Sequence, residues 1–464
     1  MSESFEDHEL KIKSFAKYSF KVSIACACLL APALPAGSQT LNQALAAAYL
    51  NNPGLLAARA NLRSKDESVP QALSSWRPNI SLSADIARSH THLNTRSANR
   101  DQMQSPRNTS LNVTQSLFRG FRTSAGVQKA ELSVKSTRAT LLAKEQDVLL
   151  SAVTAFMSVV QDQAKLDLKI SNEQVLQRQL EATQDRFRVG EITKTDVSQA
   201  EARVAGAAAD RIQFEGNLNN SRANYLKVIG EDPGKLAVPS ALSVTPTSLE
   251  NAIKAAISSH PDIISQRYLE ESARINIKSV RGELLPTVDL AGKLSRAWEA
   301  SANDDQKTTG QIKLSLSIPL YQKGSVYSRL RAAKQDARQS LQKLEEARRN
   351  VSEAAAKAWE SVKTAKARIK SFSAQINAAK IALEGVQREA AVGSRTILDV
   401  LDAEQELLDA KISLVGANRE QVVASFQLQE AIGQLTAKDL QLPVKTYVPT
   451  KHYKEIRSKW LGSK

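Results

Sequence analysis

The stretch VGSRTILDVLDAEQ, Val392 to Gln405, holds charged residues with the spacing of a built site. Asp399 and Asp402 lie three apart and Arg395 lies four before Asp399, so a helix would carry them on one face. Groups so placed form ion pairs and draw in cations. The same signal stands 203 residues earlier as VGEITKTDVSQAEA, Val189 to Ala202, matching at Val, Gly, Thr, Asp, Val, Ala and Glu. That copy has Asp196 and Thr195, but Ile192 and Gln199 replace Arg395 and Asp402. Other chemistry is sparse. The five histidines form no HExxH pattern, and no nucleophile elbow or phosphate-binding glycine loop occurs. His90 and His92 make a lone H-x-H with no third ligand suggested nearby, so no metal, cofactor or catalytic residue is expected.

Long helices must position these turns. All 14 prolines fall outside 107–232 and 320–442, and both stretches are rich in Ala, Gln, Lys and Glu. In the second, small or apolar residues recur from Val326 to Ala390 in alternating steps of three and four, a sustained heptad seam. Such a helix is about 100 Å long. Each arm stops at Val-Gly (Val189-Gly190 and Val392-Gly393), where glycine supplies the left-handed cap. A new helix begins at TKTD or TILD, both capping boxes with Thr193 and Thr396 as N-caps. Two helical hairpins result, ending near Gly230 and Gly433. The duplication reaches further: TLNQALAAAYLNNPGLLAARA at 40–60 aligns with SLENAIKAAISSHPDIISQRY at 248–268, pairing Pro53 with Pro261 and Pro78 with Pro286. The repeats are 39–230 and 248–433, joined by a linker at 231–247, and the length difference between them falls in a variable outer loop at 90–107.

Between the helices lie alternating segments at 79–88, 111–118, 287–298 and 311–321. QIKLSLSIPLY sets Ile312, Leu314, Leu316 and Ile318 against Lys313, Ser315 and Ser317. About ten residues of period two is the pattern of an outer-membrane strand. Trp76, Phe118 and Tyr321 mark the helix-side ends, and Trp298 the far end, as membrane interfaces favour. Four strands cannot close a barrel in lipid, and eight leave an interior that side chains fill. A conduit needs at least three chains.

The N-terminus carries a basic region KIKSFAKYSFK, a short apolar run VSIACACLLA and a small-residue zone ALPAGSQT, the layout of a secretory signal peptide over 1–38. Cleavage there removes Cys26 and Cys28, the only cysteines, and leaves an exported chain without disulfides. The net charge of +15 is concentrated partly in the last twenty residues, read as part of a solvated basic tail at 434–464 rather than a nucleic-acid site.

The duplication, the strand entrances WRPNISLS and LLPTVDLA, the exits SLFRG and SIPLYQKG, and both VG…T..DV turns resemble the TolC family of outer-membrane channel proteins. The resemblance covers nearly the whole mature chain. It implies a mainly α fold with transmembrane β: long helical hairpins forming an α-barrel tunnel, plus four strands per chain forming a 12-stranded barrel in a homotrimer. It also implies outer-membrane lipid as surroundings, a periplasmic adaptor (membrane fusion protein) docked on Val189, Gly190, Val392 and Gly393, and an inner-membrane ABC or RND-type pump. The short helix at about 54–75 should stack end to end on the helix 195–229. Positions corresponding to Arg395, Asp196 and Thr195 link neighbouring helices in the family and hold the tunnel shut. Those corresponding to Asp399 and Asp402 constrict its entrance. Ala390 departs from a tyrosine of the family's gate network. The alternatives are a periplasmic adaptor, which would show one hairpin flanked by soluble β domains, and a secreted coiled-coil structural protein.

Overall fold

The computed structural model describes residues 38–95, 98–242, 246–299 and 305–462. The signal-peptide expectation falls on 1–38, almost wholly outside the described residues. The element order repeats. The first half runs α1 (Leu41–Asn51), α2 (Pro53–Asp66), α3 (Ser68–Ser74), β1 (Asn79–Ile86), β2 (Ser89–Thr95), β3 (Ala98–Gln104), β4 (Arg107–Arg119), α4 (Arg122–Arg188) and α5 (Lys194–Ile229). The second runs α6 (Leu249–Ser259), α7 (Pro261–Arg281), β5 (Thr287–Trp298), β6 (Gln306–Ser317), α8 (Ser325–Ala391) and α9 (Ile397–Ala431), followed by α10 (Lys451–Ile456).

Proline sets the helix breaks. Pro53 and Pro261 each open a helix at its first position, where no backbone donor is needed. Asn52 Oδ1 caps Gly54 and Leu55, and His260 Nδ1 accepts from the Asp262 amide at 3.2 Å. Asn52 Nδ2 also donates to the Val228 carbonyl at 3.0 Å. The α1–α2 joint therefore sits on the last turn of α5, and α2 continues along α4 where α5 stops. Both long arms have 67 residues, so each is about 100 Å long.

The sheet order is β1-β4-β5-β6, antiparallel throughout. Register places Leu82, Leu111 and Leu294 side by side, with Ile80, Val113 and Ile312 in the next row of the same face. Leu82, Leu294 and Ile312 are 73%, 55% and 84% exposed, so this apolar face is uncovered in the single chain. The opposite face carries Ser83, Ser110 and Ser295, and the Ser83 and Ser110 hydroxyls share a hydrogen bond of 2.8 Å. Apolar outside and polar inside is the arrangement of a strand between lipid and a water-filled lumen. Edges β1 and β6 have no further strand partner among the described residues. No helix among the described residues is long and apolar enough to cross a membrane.

Three expectations need correction. The outer loop at 90–107 is largely the hairpin β2–β3, polar on both faces and therefore without an alternation signal. The last strand runs over Gln306–Ser317 rather than 311–321, because Pro319 has no amide to donate to a ladder. The basic tail keeps Lys445, Lys451, Lys454, Arg457 and Lys459 exposed, but several of its apolar residues are packed rather than free. Leu435, Ala437 and Leu442 are buried in a core with α1, α2, α4 and α5, and the Tyr447 amide donates to Tyr49 Oη at 2.9 Å. Beyond them α10 lies on α2, where His452 meets the fully buried Asp66 at 3.2 Å, with Arg138 at 3.7 Å. Arg457 reaches Glu131 at 3.0 Å, and Arg77 stacks over Trp460. Arg457, His452 and the aromatics Tyr447, Tyr453 and Trp460 are thus contact groups.

At the sheet-to-helix joint, Gly120 and Gly282 cross closely enough that a methyl at either would collide with the other's carbonyl oxygen. Gly120 also has φ +59°, a second reason for glycine there.

Candidate functional site

Both tip turns close in the same way. Gly190 N donates to Phe187 O and Glu191 N to Arg186 O, and Gly393 N and Ser394 N repeat this to Ala390 O and Glu389 O. The outer bond spans five residues, which is the Schellman closure, and the glycines sit at φ +82° and +79°. Val189 and Val392 are 76% and 81% exposed at the turns.

The following helices start on matched capping boxes. Asp196 Oδ2 accepts from Thr193 N at 2.9 Å and Thr193 Oγ1 at 2.7 Å, and Asp399 Oδ2 accepts from Thr396 N and Oγ1 at the same distances. These bonds, the side-chain one foremost, hold both carboxyls below the usual aspartate range. The sign follows: each favours the folded tip above the ordinary aspartate value and loses that contribution as pH falls through the depressed one. Thr195 is exposed on the first turn of α5.

The two tips differ in how they are fastened. Arg186 Nε pairs with Glu191 across the first turn at 2.8 Å. At the second, Glu389 occupies the place of Arg186, and Arg395 Nε reaches it at 2.9 Å. The staple is kept with its charges reversed. Ile192, which stands where the second turn has Arg395, is instead partly buried against Leu176, Ala207, Ile397 and Leu401. Asp402 is engaged as well: Arg203 Nη2 donates to it at 2.7 Å, tying α5 to α9. Sequence reasoning missed Glu389 and Arg203. Arg203 is seven residues after Asp196, hence on nearly the same helix face, which is the only signal it offered. In this chain Arg395 and Asp402 both have partners, Glu389 and Arg203.

The lone H-x-H fares differently from expectation. His92 Nδ1 lies 2.6 Å from Asp101 and His90 Nε2 lies 3.6 Å from it, a third polar group supplied by β3. Even so, no set of His, Cys, Asp and Glu among the described residues has the geometry to hold a metal.

The sequence profile of the outer membrane efflux protein family matches residues 44–231 and again 252–434. The chain belongs to that family. It is 35% identical over 447 residues to outer membrane efflux protein BepC of Brucella suis biovar 1 (strain 1330), covering 95% of this chain and 96% of that one. Its identity to outer membrane protein TolC of Vibrio cholerae is 29% over 407 residues, covering 84% and 90%. Among solved structures, the Campylobacter jejuni CmeC outer membrane channel matches with a TM-score of 0.77 at 16% identity, over 90% of this chain and 89% of that one. As an outer membrane efflux protein, the chain is an export channel of the outer membrane with its helices in the periplasm. That role explains the exposed apolar face of the sheet, which no soluble fold would leave bare.

Proposed function

We propose that three copies of this chain form one conduit, in which four strands from each close a 12-stranded barrel and the helical hairpins close a tunnel beneath it. The observation that carries this is the sheet with a lipid-type face and two open edges, set at one end of 67-residue arms. An open edge in hydrocarbon leaves several unpaired backbone groups, each costing a few kcal/mol, so neighbours must supply the missing pairs. A periplasmic adaptor docks on Val189, Gly190, Val392 and Gly393, and an inner-membrane ABC or RND-type pump drives cargo through. The protein positions and admits cargo without catalysing a reaction, and it binds no nucleic acid.

The tips form the gate. Asp399 and Asp402 of three chains surround the axis at the entrance, Arg395 and Thr195 lie at the seam with the neighbour's Asp196, and Arg203 restrains α9 against α5. Exposed ion pairs are individually weak and screened by salt, so each latch shifts the gate modestly. In planar bilayers, Arg395→Ser with Arg203→Ser is expected to raise mean conductance by about two- to fivefold. Asp399→Asn with Asp402→Asn should lower the preference for cations. Equal conductance and equal selectivity in all variants would leave Asp399 as a helix cap and Arg395, Arg203 and Asp402 as structural ion pairs.

A further inference from the structure

A groove of about 520 Å³ opens where the end of the chain lies against the entrance to the sheet. Leu73, Trp76 and Arg77 form one wall, and Tyr453, Arg457 and Trp460 form the other. Arg77 joins the two: Nη1 donates to the Lys459 carbonyl at 2.9 Å, and the guanidinium stacks 4.7 Å above the Trp460 ring. Gln115 Nε2 of β4 donates to the Trp76 carbonyl at 2.6 Å, which fixes the groove to the sheet. β1 begins at Asn79, just past Arg77, and Ile80 is its first side chain on the lipid face. The groove therefore lies within about 10 Å of hydrocarbon, at the depth of lipid headgroups.

The surface is apolar and basic at once. Trp460 and Leu461 are 65% and 89% exposed, and Trp76 is exposed beside them. Tryptophan is mostly buried in soluble folds and is enriched at membrane–water boundaries. Lys454 and Lys459 are exposed and have no ion-pair partner among the described residues, whereas Arg457 is taken by Glu131. Glu455 is the sole carboxylate of residues 446–462. A neighbouring copy is the other candidate occupant, because the open edge β1 would pair with β6 of the next chain. Antiparallel pairing sets the exit after Ser317 beside Trp76. That exit carries exposed Lys323 and Arg331, with no acid between Ser317 and Asp336. Like charges would then meet, so charge favours an anionic lipid surface over a second copy. The side is right as well. α1 and the C-terminal segment form a second layer over α2 and α4, and three such layers leave a conduit open only if they lie outside it.

We propose that this groove seats the phosphate of an anionic phospholipid from the periplasmic leaflet of the outer membrane. Lys454 and Lys459 supply the uncommitted charge, Arg77 orients Trp460, and Trp76, Trp460 and Leu461 sit at the headgroup boundary. The end of the chain is thus an anchor that grips the membrane at the rim of the barrel. The inference rests on the tunnel reading only for which side of the chain faces lipid.

The test is tryptophan quenching in the full-length protein, reconstituted into phosphatidylcholine bilayers. A minor share of the lipid is brominated near the headgroup and is either phosphatidylglycerol or phosphatidylcholine. The Trp460 signal is the difference between the unsubstituted protein and Trp460→Phe. Brominated phosphatidylglycerol should quench it about two- to fivefold more effectively than brominated phosphatidylcholine. Lys454→Gln with Lys459→Gln should remove that preference, and high salt should weaken it. Equal quenching by the two lipids overturns the proposal, as does a preference that survives loss of both lysines. So does a Trp460 shielded from aqueous iodide and brominated lipid alike, the result expected if a second copy covers it. If the lysine pair fails to assemble, the salt response of the unsubstituted protein decides, and a preference untouched by salt overturns the proposal. Conductance in the same bilayers reports the tunnel separately. Conduction with equal quenching sinks the anchor alone, whereas lipid preference without conduction sinks the tunnel.

Discussion

Replacing Gly190 and Gly393 together by valine is expected to abolish export while the protein still reaches the outer membrane and assembles. Both glycines are left-handed, and neither would place a new Cβ within 4 Å of another group. The penalty is therefore in the backbone, roughly 1–2 kcal/mol per turn and more for a β-branched residue. It is felt locally, at the end of arms whose other ends are anchored by the α1 core and the sheet. On the proposed docking, a reshaped tip should lose its partner while the barrel still assembles. Val189→Asp with Val392→Asp tests the same surface without strain, since Val189 and Val392 have negative φ and stay exposed. Drug susceptibility, cargo in the medium and the level of assembled protein are the readouts. Wild-type export in both double variants would remove the docking role.

Ending the chain after Gly433 should prevent assembly altogether. Leu435 is fully buried, Ala437 and Leu442 nearly so, and the Ala437 amide donates to Glu145 at 2.8 Å. Leu435→Ala alone should cost about 2–5 kcal/mol. The truncation removes that side chain, its neighbours and the whole α10 contact, which leaves Asp66 buried without His452. Among the described residues, cutting after Ser458 instead loses the Arg77–Trp460 stack, the Arg77 bond to the Lys459 carbonyl and the bond from the Lys459 amide to the Ile456 carbonyl, so assembly should survive. Heat-modifiable gel mobility of membrane extracts separates these cases. Full assembly of the shorter truncation product would mean that the tail is dispensable after all.

Much of the fold was legible because its signals are one-dimensional. Proline absence and the terminal glycines marked both 67-residue arms, and Thr-x-x-Asp marked the helices that return from the tips. Alternation found the barrel strands because one face must meet lipid. The same rule failed for β2–β3, whose two faces are both polar, and for Leu435 and Leu442, which are too isolated to make a period. At the tips, capping by Thr193 and Thr396 was readable from neighbours three residues apart. The Arg203–Asp402 pair was not, because its partners lie 199 residues apart and meet only once two hairpins pack. The groove at the sheet entrance was hidden for the same reason: Arg77 and Trp460 come from far apart in the chain.

The central claim is that a sheet with two open edges closes only in threefold company. Native mass spectrometry of the detergent-extracted protein weighs that company directly. Release as three copies of the chain, with no stable smaller species, is the predicted result. A stable monomer or dimer as the sole species would contradict it.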